Sequence, residues 1–179
     1  MADDSLRTLA RNLDVPERTL RRAATEGLIR GRRLSERRYK TTLREEAYLR
    51  SHWGLLSGLR RALRTEPNVR LAVLFGSLAT GDGSEASDVD LLVSLRDGRA
   101  GEVAALAGRL RERIGREVQV VRLQDAERSA ALMLDVLGDG RVLIDRDQLW
   151  SRLQAGERRW RRRAAEEGQL EGSLQDLEL

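Results

Sequence analysis

The sequence contains no cysteine, one lysine (Lys40) and one histidine (His52) among 179 residues. Without cysteine there are neither disulfides nor thiolate metal sites, which agrees with a reducing cytoplasm. A lone histidine with no acidic or hydroxyl company in sequence is more often structural than catalytic, so His52 is given no role. Charges interrupt every apolar segment, so no run approaches the length of a membrane span or a signal h-region. The expectation is a soluble, cytoplasmic protein. There are no internal repeats or low-complexity segments, and the length suits two small domains.

What is present is arginine, unevenly placed. Residues 1–64 hold 16 Lys+Arg against 8 Asp+Glu, a net of +8, whereas residues 65–179 hold 17 against 21, a net of −4. Between Arg18 and Arg44 there are 10 basic residues and only Glu26 and Glu36 as acids. Affinity for nucleic acid comes largely from neutralised phosphates and released counterions, so this concentration is what a DNA-binding surface requires.

The local pattern agrees. Leu6, Leu9, Ala10 and Leu13 recur at helical spacing after Ser5, a candidate N-cap. Asp14-Val15-Pro16 breaks the pattern, and Pro16 suits the start of a second helix. There Leu20, Ala23 and Ala24 face inward, with Arg18, Thr19, Arg21 and Arg22 outside and Gly27 at the end. Leu28 to Arg33 reads as a small wing carrying Arg30, Arg32 and Arg33. The order helix, turn, helix, GLIRGRR, ERRY resembles winged helix-turn-helix DNA readers, particularly the MerR type, over residues 5–50. The resemblance implies that the second helix enters the major groove of double-stranded DNA and the wing touches the backbone.

Thr41 to Arg64 continues as one helix with an apolar stripe of Leu43, Ala47, Leu49, Trp53, Leu56, Leu59 and Leu63. It joins the two domains, and its stripe suits packing either on the sheet or on a second copy in a homodimer, the common state of such DNA readers. Glu66-Pro67-Asn68 marks the next boundary.

The stretch Leu71 to Leu95 reads as strand, Gly-Ser turn, polar loop, strand. Leu71 to Phe75 is apolar and β-prone and stops at Gly76-Ser77. The second strand, Val89 to Leu95, is entered through Asp88 and Asp90, which a period of two places on one face. Two carboxylates held that close repel each other unless a cation lies between them. Hard oxygen ligands without His or Cys favour Mg²⁺ or Mn²⁺, bound through carboxylates and substrate phosphates. Gly76 and Ser77 supply turn N–H groups and a hydroxyl for phosphate oxygens.

FGSLATGDGSEASDVDLLV resembles the signature of minimal nucleotidyltransferases of the DNA polymerase β superfamily, and the likeness continues to about Asp147 through GREVQVVRL and GDGRVLIDRD. The resemblance implies a small mixed sheet backed by helices on one face. It further implies Mg²⁺-dependent transfer of a nucleoside monophosphate from an NTP to an acceptor hydroxyl, with Asp88 and Asp90 holding the metal and Gly76 and Ser77 the β- and γ-phosphates. Relatives of this kind are often antitoxins paired with a HEPN-type toxin. The family pattern has a third carboxylate on a later strand, and here it falls on Gln119, which is neutral and accepts no proton. Glu117 shares the strand face with Gln119, but reads better as an exposed acid at the strand start. The alternative function is an inactive nucleotidyltransferase fold acting as a DNA-binding regulator or antitoxin subunit.

After this stretch a helix is expected at Glu102–Ile114, a strand at Val118–Leu123, a helix at Ala126–Leu137 and a strand at Arg141–Asp145. From Gln148 the chain is helical again, with Trp160 packed inward, and Leu170, Leu174 and Leu177 free to dock a last turn on a partner. The expectation is an α/β protein with a winged helix-turn-helix over 1–40 and a linker helix over 41–65. A nucleotidyltransferase domain follows over 66–147, then a C-terminal helix and acidic tail over 148–179.

Overall fold

The computed structural model describes residues 5–35 and 38–175, with side chains from residue 6 to residue 168. The Ser5 cap, Glu36 and the leucines Leu170, Leu174 and Leu177 lie outside the described side chains.

Two short helices, α1 (Ser5–Asn12) and α2 (Glu17–Thr25), open the chain. Pro16 is the N-cap of α2, and Gly27 at φ +85 turns the chain out of it. The two-residue strands β1 (Arg32–Arg33) and β2 (Tyr39–Lys40) pair antiparallel, Arg32 opposite Lys40. Leu6, Leu9, Leu20, Ala23, Leu28 and Ile29 are buried.

Helix α3 (Leu43–Arg64) begins at Thr42, whose side chain accepts a hydrogen bond from the Glu45 N–H at 3.1 Å. Its buried face differs from the expected stripe at the first turn. Leu43 is 84% exposed and Ala47 is exposed, whereas Glu45 and Tyr48 are buried. The reason lies in a partner distant in sequence, Arg141, which makes Glu45 an interior residue.

A four-stranded mixed sheet of order β5-β4-β3-β6 follows, from β3 (Val69–Phe75), β4 (Val89–Leu95), β5 (Val118–Arg122) and β6 (Arg141–Asp145). Strand β3 runs antiparallel to β4 and β6, and β5 runs parallel to β4. Helices cover both faces of the sheet, not one. On one face Val69, Ala72, Leu74, Val89, Leu91 and Val93 pack with α3 and with Leu106 and Leu110 of α5 (Glu102–Ile114). That cluster is continuous with the leucines of α1 and α2. On the other, Leu71, Val73 and Leu92 meet Met133 and Val136 of α7 (Ala130–Asp139) and Trp160 of α9 (Glu157–Gln175). The central strands are apolar on both sides, and only a second layer removes both from water. An irregularity in β3 between Val69 and Leu71 accounts for two residues three apart, Val69 and Ala72, sharing one face.

The remaining elements are short. Helix α4 (Ser77–Thr80) follows β3, and α6 (Leu123–Ala126) follows β5 directly. The helix expected over 126–137 starts later, at Ala130, where the Ser129 side chain accepts from the Leu132 N–H, and α6 takes up Leu123, expected in the strand, and Ala126. Helix α8 (Leu149–Ala155) ends at Gly156 before α9. Trp160 is buried, as expected. Among the described residues no helix is long and apolar enough to cross a membrane.

Candidate functional site

The sheet topology brings the motif residues to one edge. Strand β3 leaves the sheet at Phe75, β4 enters beside it with Phe75 opposite Asp90, and parallel β5 enters with Gln119 opposite Asp90. Gly76, Ser77, Asp88, Asp90 and Gln119 thus meet at the end of three adjacent strands. Asp90 and Gln119 lie on the sheet face of Leu71, Val73 and Leu92, because Val89, Leu91 and Val118 belong to the other.

Gly76 adopts φ +72, ψ −160, which costs a residue with a Cβ dearly. A Cβ there would also lie 2.7 Å from Asp90 Oδ2. Backbone turn and carboxylate are therefore in contact. Ser77 is exposed, and its carbonyl accepts from the N–H groups of Gly81, Asp82 and Gly83 at 3.0, 3.1 and 3.0 Å, so the polar loop folds back over α4. Arg116 fastens the far side of that loop through Ser84 O at 2.9 Å and Ser87 O at 2.7 Å. Neither Gly83 nor Arg116 stands out in the sequence, since one acts through its own backbone and the other on backbone carbonyls 32 and 29 residues away.

Burial, and then the neighbouring Asp88 charge, hold the Asp90 carboxyl above the ordinary carboxylate range. Asp90 has no hydrogen-bond or ion-pair partner among the described residues. Among the described residues the single side-chain bond to Asp88 comes from Gln119, whose Nε2 donates to Asp88 Oδ2 at 2.9 Å. The residue in place of the third acid is thus held against the pair and supplies a neutral donor. Glu117 points elsewhere, pairing with Arg111 at 2.9 Å, and is exposed. Two mutually repelling, uncompensated hard oxygen donors beside a Gly-Ser turn fit a divalent cation carrying phosphate ligands. Among the described residues no third acid, His or Cys joins them.

Residues 58–149 match the polymerase beta nucleotidyltransferase family model. The chain belongs to that family. No curated protein matches this nucleotidyltransferase in sequence. Among solved structures, a chain from the crystal structure of a toxin–antitoxin with AMP-PNP is 24% identical, with a TM-score of 0.56 over 69% of this chain and 98% of that one. A chain from the toxin–antitoxin MntA–HepT is 22% identical, with a TM-score of 0.51 over 69% and 97%. A chain from the structure of tri-AMPylated Shewanella oneidensis HEPN toxin in complex with MNT antitoxin is 22% identical, with a TM-score of 0.53 over 72% and 99%. These likenesses show that the nucleotidyltransferase shares their fold.

The basic residues of the N-terminal region divide into free and engaged groups. Arg18 and Arg32 are exposed and have no partner among the described residues, and Arg33 is exposed with one long contact to Ser35 O at 3.4 Å. Thr19 is half-buried. Arg21 and Arg22 carry i,i+4 ion pairs to Glu17 and Glu26. Arg30 does not join the free group, because its guanidinium binds Ala79 O at 3.3 Å and pairs with Asp139 at 3.4 Å.

Beneath Arg30 lies a buried polar cluster. Arg141, 1% exposed, makes a two-pronged bond to Glu45 at 2.6 and 2.9 Å, and donates to Ala79 O at 2.8 Å and Leu28 O at 3.2 Å. Its guanidinium stacks 3.6 Å over the Tyr48 ring. Tyr48 donates to Leu78 O at 2.9 Å, and burial pushes its hydroxyl up to about 12. His52 stacks on Tyr48 at 4.3 Å, a structural position. The cluster ties the segment before β1, α3 and β6 to α4, the helix that begins at Ser77.

Proposed function

We propose that the protein binds an NTP with Mg²⁺ or Mn²⁺ at the β3–β4 edge and transfers a nucleoside monophosphate to an acceptor hydroxyl, as the antitoxin of a HEPN-type toxin. The observation that carries the reading is the convergence of Gly76, Ser77, Asp88 and Asp90 at one end of the sheet, with the Gly76 backbone against the Asp90 carboxylate. Asp88 and Asp90 would hold the cation, which when bound supplies charge neutralisation on the phosphates and orients in-line attack. Gly76 and Ser77 would hold the β- and γ-phosphates, and both residues are exposed. Likeness to structures of toxin–antitoxin complexes, one with AMP-PNP and one with a tri-AMPylated HEPN toxin, supports the nucleotide and the partner class. The test is incubation with each labelled NTP, Mg²⁺ and a HEPN-type toxin. Label on the toxin that depends on Asp88 and Asp90 is the result this reading requires, and no label under any nucleotide would contradict it.

The bond from Gln119 to Asp88 favours a second reading. With an amide where a proton acceptor belongs, the site retains nucleotide binding while transfer is slow, and the protein acts as a nucleotide-binding regulator. In either reading the N-terminal region binds double-stranded DNA as a homodimer. Helix α2 lays Arg18, Thr19, Arg21 and Arg22 along the major groove and Arg32 and Arg33 of the wing meet the backbone.

A further inference from the structure

A second charged site lies away from the carboxylate edge, in a cavity of about 160 Å³ between α2, α3 and β6. Four arginines line it, Arg22, Arg60, Arg64 and Arg146, against two acids, Glu26 and Asp145. Both acids are already engaged. Glu26 accepts from Arg22 and Arg60, and the two Asp145 oxygens accept the Leu149 and Trp150 N–H groups at 2.9 and 3.1 Å. Arg146 is engaged too, through the carbonyls of Leu63, Arg64, Glu66 and Val69 at the end of α3.

Arg60 is engaged through one nitrogen only, and Arg64 not at all among the described residues. Arg60 is 8% exposed, and its Nε is sealed from solvent with no hydrogen-bond partner. Its only bond goes from Nη2 to Glu26, leaving Nη1 without an acceptor among the described residues. Burial pushes the Arg60 guanidinium below its usual range, and nearby Arg64 and Arg22 add to this against the pull of Glu26. Arg64 is exposed at the cavity and has no side-chain partner among the described residues. A buried guanidinium left short of acceptors beside two further arginines is the electrostatic mirror of the Asp88–Asp90 pair. It calls for an anion with several oxygens, and Arg forks match phosphate in both shape and charge.

We infer that the cavity lined by Arg22, Arg60 and Arg64 binds a phosphate group, held between the N-terminal helices and the edge strand of the nucleotidyltransferase sheet. Its volume admits a phosphate and not a whole nucleotide. The phosphate comes either from a nucleic-acid backbone, since Arg22 also belongs to the charged face of α2, or from a free phosphate compound. This site needs no metal, so it stands or falls apart from the nucleotide site.

The test is calorimetric titration of the full chain with inorganic phosphate in EDTA at constant ionic strength, with chloride as the control anion. Wild type should bind phosphate, and Arg64→Ala should weaken binding about tenfold, the loss of one charge-assisted contact worth about 1.4 kcal/mol. Arg64 is exposed at the end of α3, so its truncation leaves the fold intact, and Arg60→Lys provides a second variant that keeps the charge but not the fork. No phosphate binding by wild type, or equal binding by wild type and both variants, would overturn the inference. Gel shifts with duplex DNA identify the source. Parallel loss of duplex affinity in Arg64→Ala makes it the backbone, and duplex affinity unchanged beside lost phosphate binding makes it a free phosphate compound.

Discussion

Gln119 Nε2, near the start of β5, donates a hydrogen bond at 2.9 Å to Oδ2 of Asp88, the residue just before the parallel strand β4. The amide relieves one of the two facing carboxylates without adding charge, which a third acid at this position would do. Gln119→Glu should therefore make the protein less stable in EDTA, because three carboxylates would crowd one strand edge. With Mg²⁺ and NTP the same variant should transfer faster, by up to the factor of about 10² to 10⁴ that a general base contributes. Thermal denaturation and single-turnover assays with labelled NTP measure the two effects. A variant no faster than wild type would mean that Gln119 does not stand in the place of a base.

Asp90 gives a pH prediction. Its carboxyl is held above the ordinary value of 3.8, so the folded state binds this proton more tightly than the unfolded chain. Stability must fall as pH rises from that ordinary value through the raised one, and the charged Asp90 remains a cost above both. Asp90→Asn should accordingly be more stable than wild type at pH 7 without metal, with the advantage shrinking as pH falls through the raised value toward 3.8. Denaturant titrations across pH check the sign, and an Asn variant less stable than wild type at pH 7 would contradict it.

The Glu45–Arg141 pair is buried at both ends, 5% and 1% exposed. Removing one partner of such a pair leaves an uncompensated interior charge and typically costs about 3–5 kcal/mol. Glu45→Ala should lose about that much in urea unfolding. It should also loosen α4, whose carbonyls Arg141 and Tyr48 hold, and so weaken nucleotide binding at Ser77 in protein that remains folded.

For DNA, the division between free and engaged arginines sets the order of effects. Arg18→Ala and Arg32→Ala should each weaken duplex binding across sequences and lower the salt slope by about one, the signature of a lost phosphate contact. Arg30→Ala should instead reduce thermal stability, because its guanidinium holds Ala79 O and Asp139. Gel shifts over a salt series separate the two classes.

Much of this was legible in the sequence. The strand read at Leu71–Phe75, which the structure begins two residues earlier at Val69, and the strand Val89–Leu95 follow from short apolar, β-prone runs, and the Gly76 turn and the carboxylate spacing from the loss of a Cβ and a period of two. The first turn of α3 was not legible, since the apolar rule prefers Leu43 and Ala47 to Glu45, and only Arg141 explains Glu45 in the interior. Arg30 misled for the same reason, as its partners lie 49 and 109 residues on. The second helical layer was readable in principle from β3 and β4, whose apolar residues leave neither face for water. The later start of α7 escaped because Glu127 and Arg128 are good helix formers that read as its first turn.

The most direct test of the nucleotide site is a thermal-shift titration of wild type and Asp90→Asn with each NTP, in Mg²⁺ and in EDTA. A ligand that binds only the folded state adds about 2.7 kcal/mol at 100 times its Kd, enough to move the transition visibly. The account predicts that at least one nucleotide stabilises wild type in Mg²⁺ alone and leaves Asp90→Asn unmoved. Equal shifts in both proteins, or none in wild type, would contradict it.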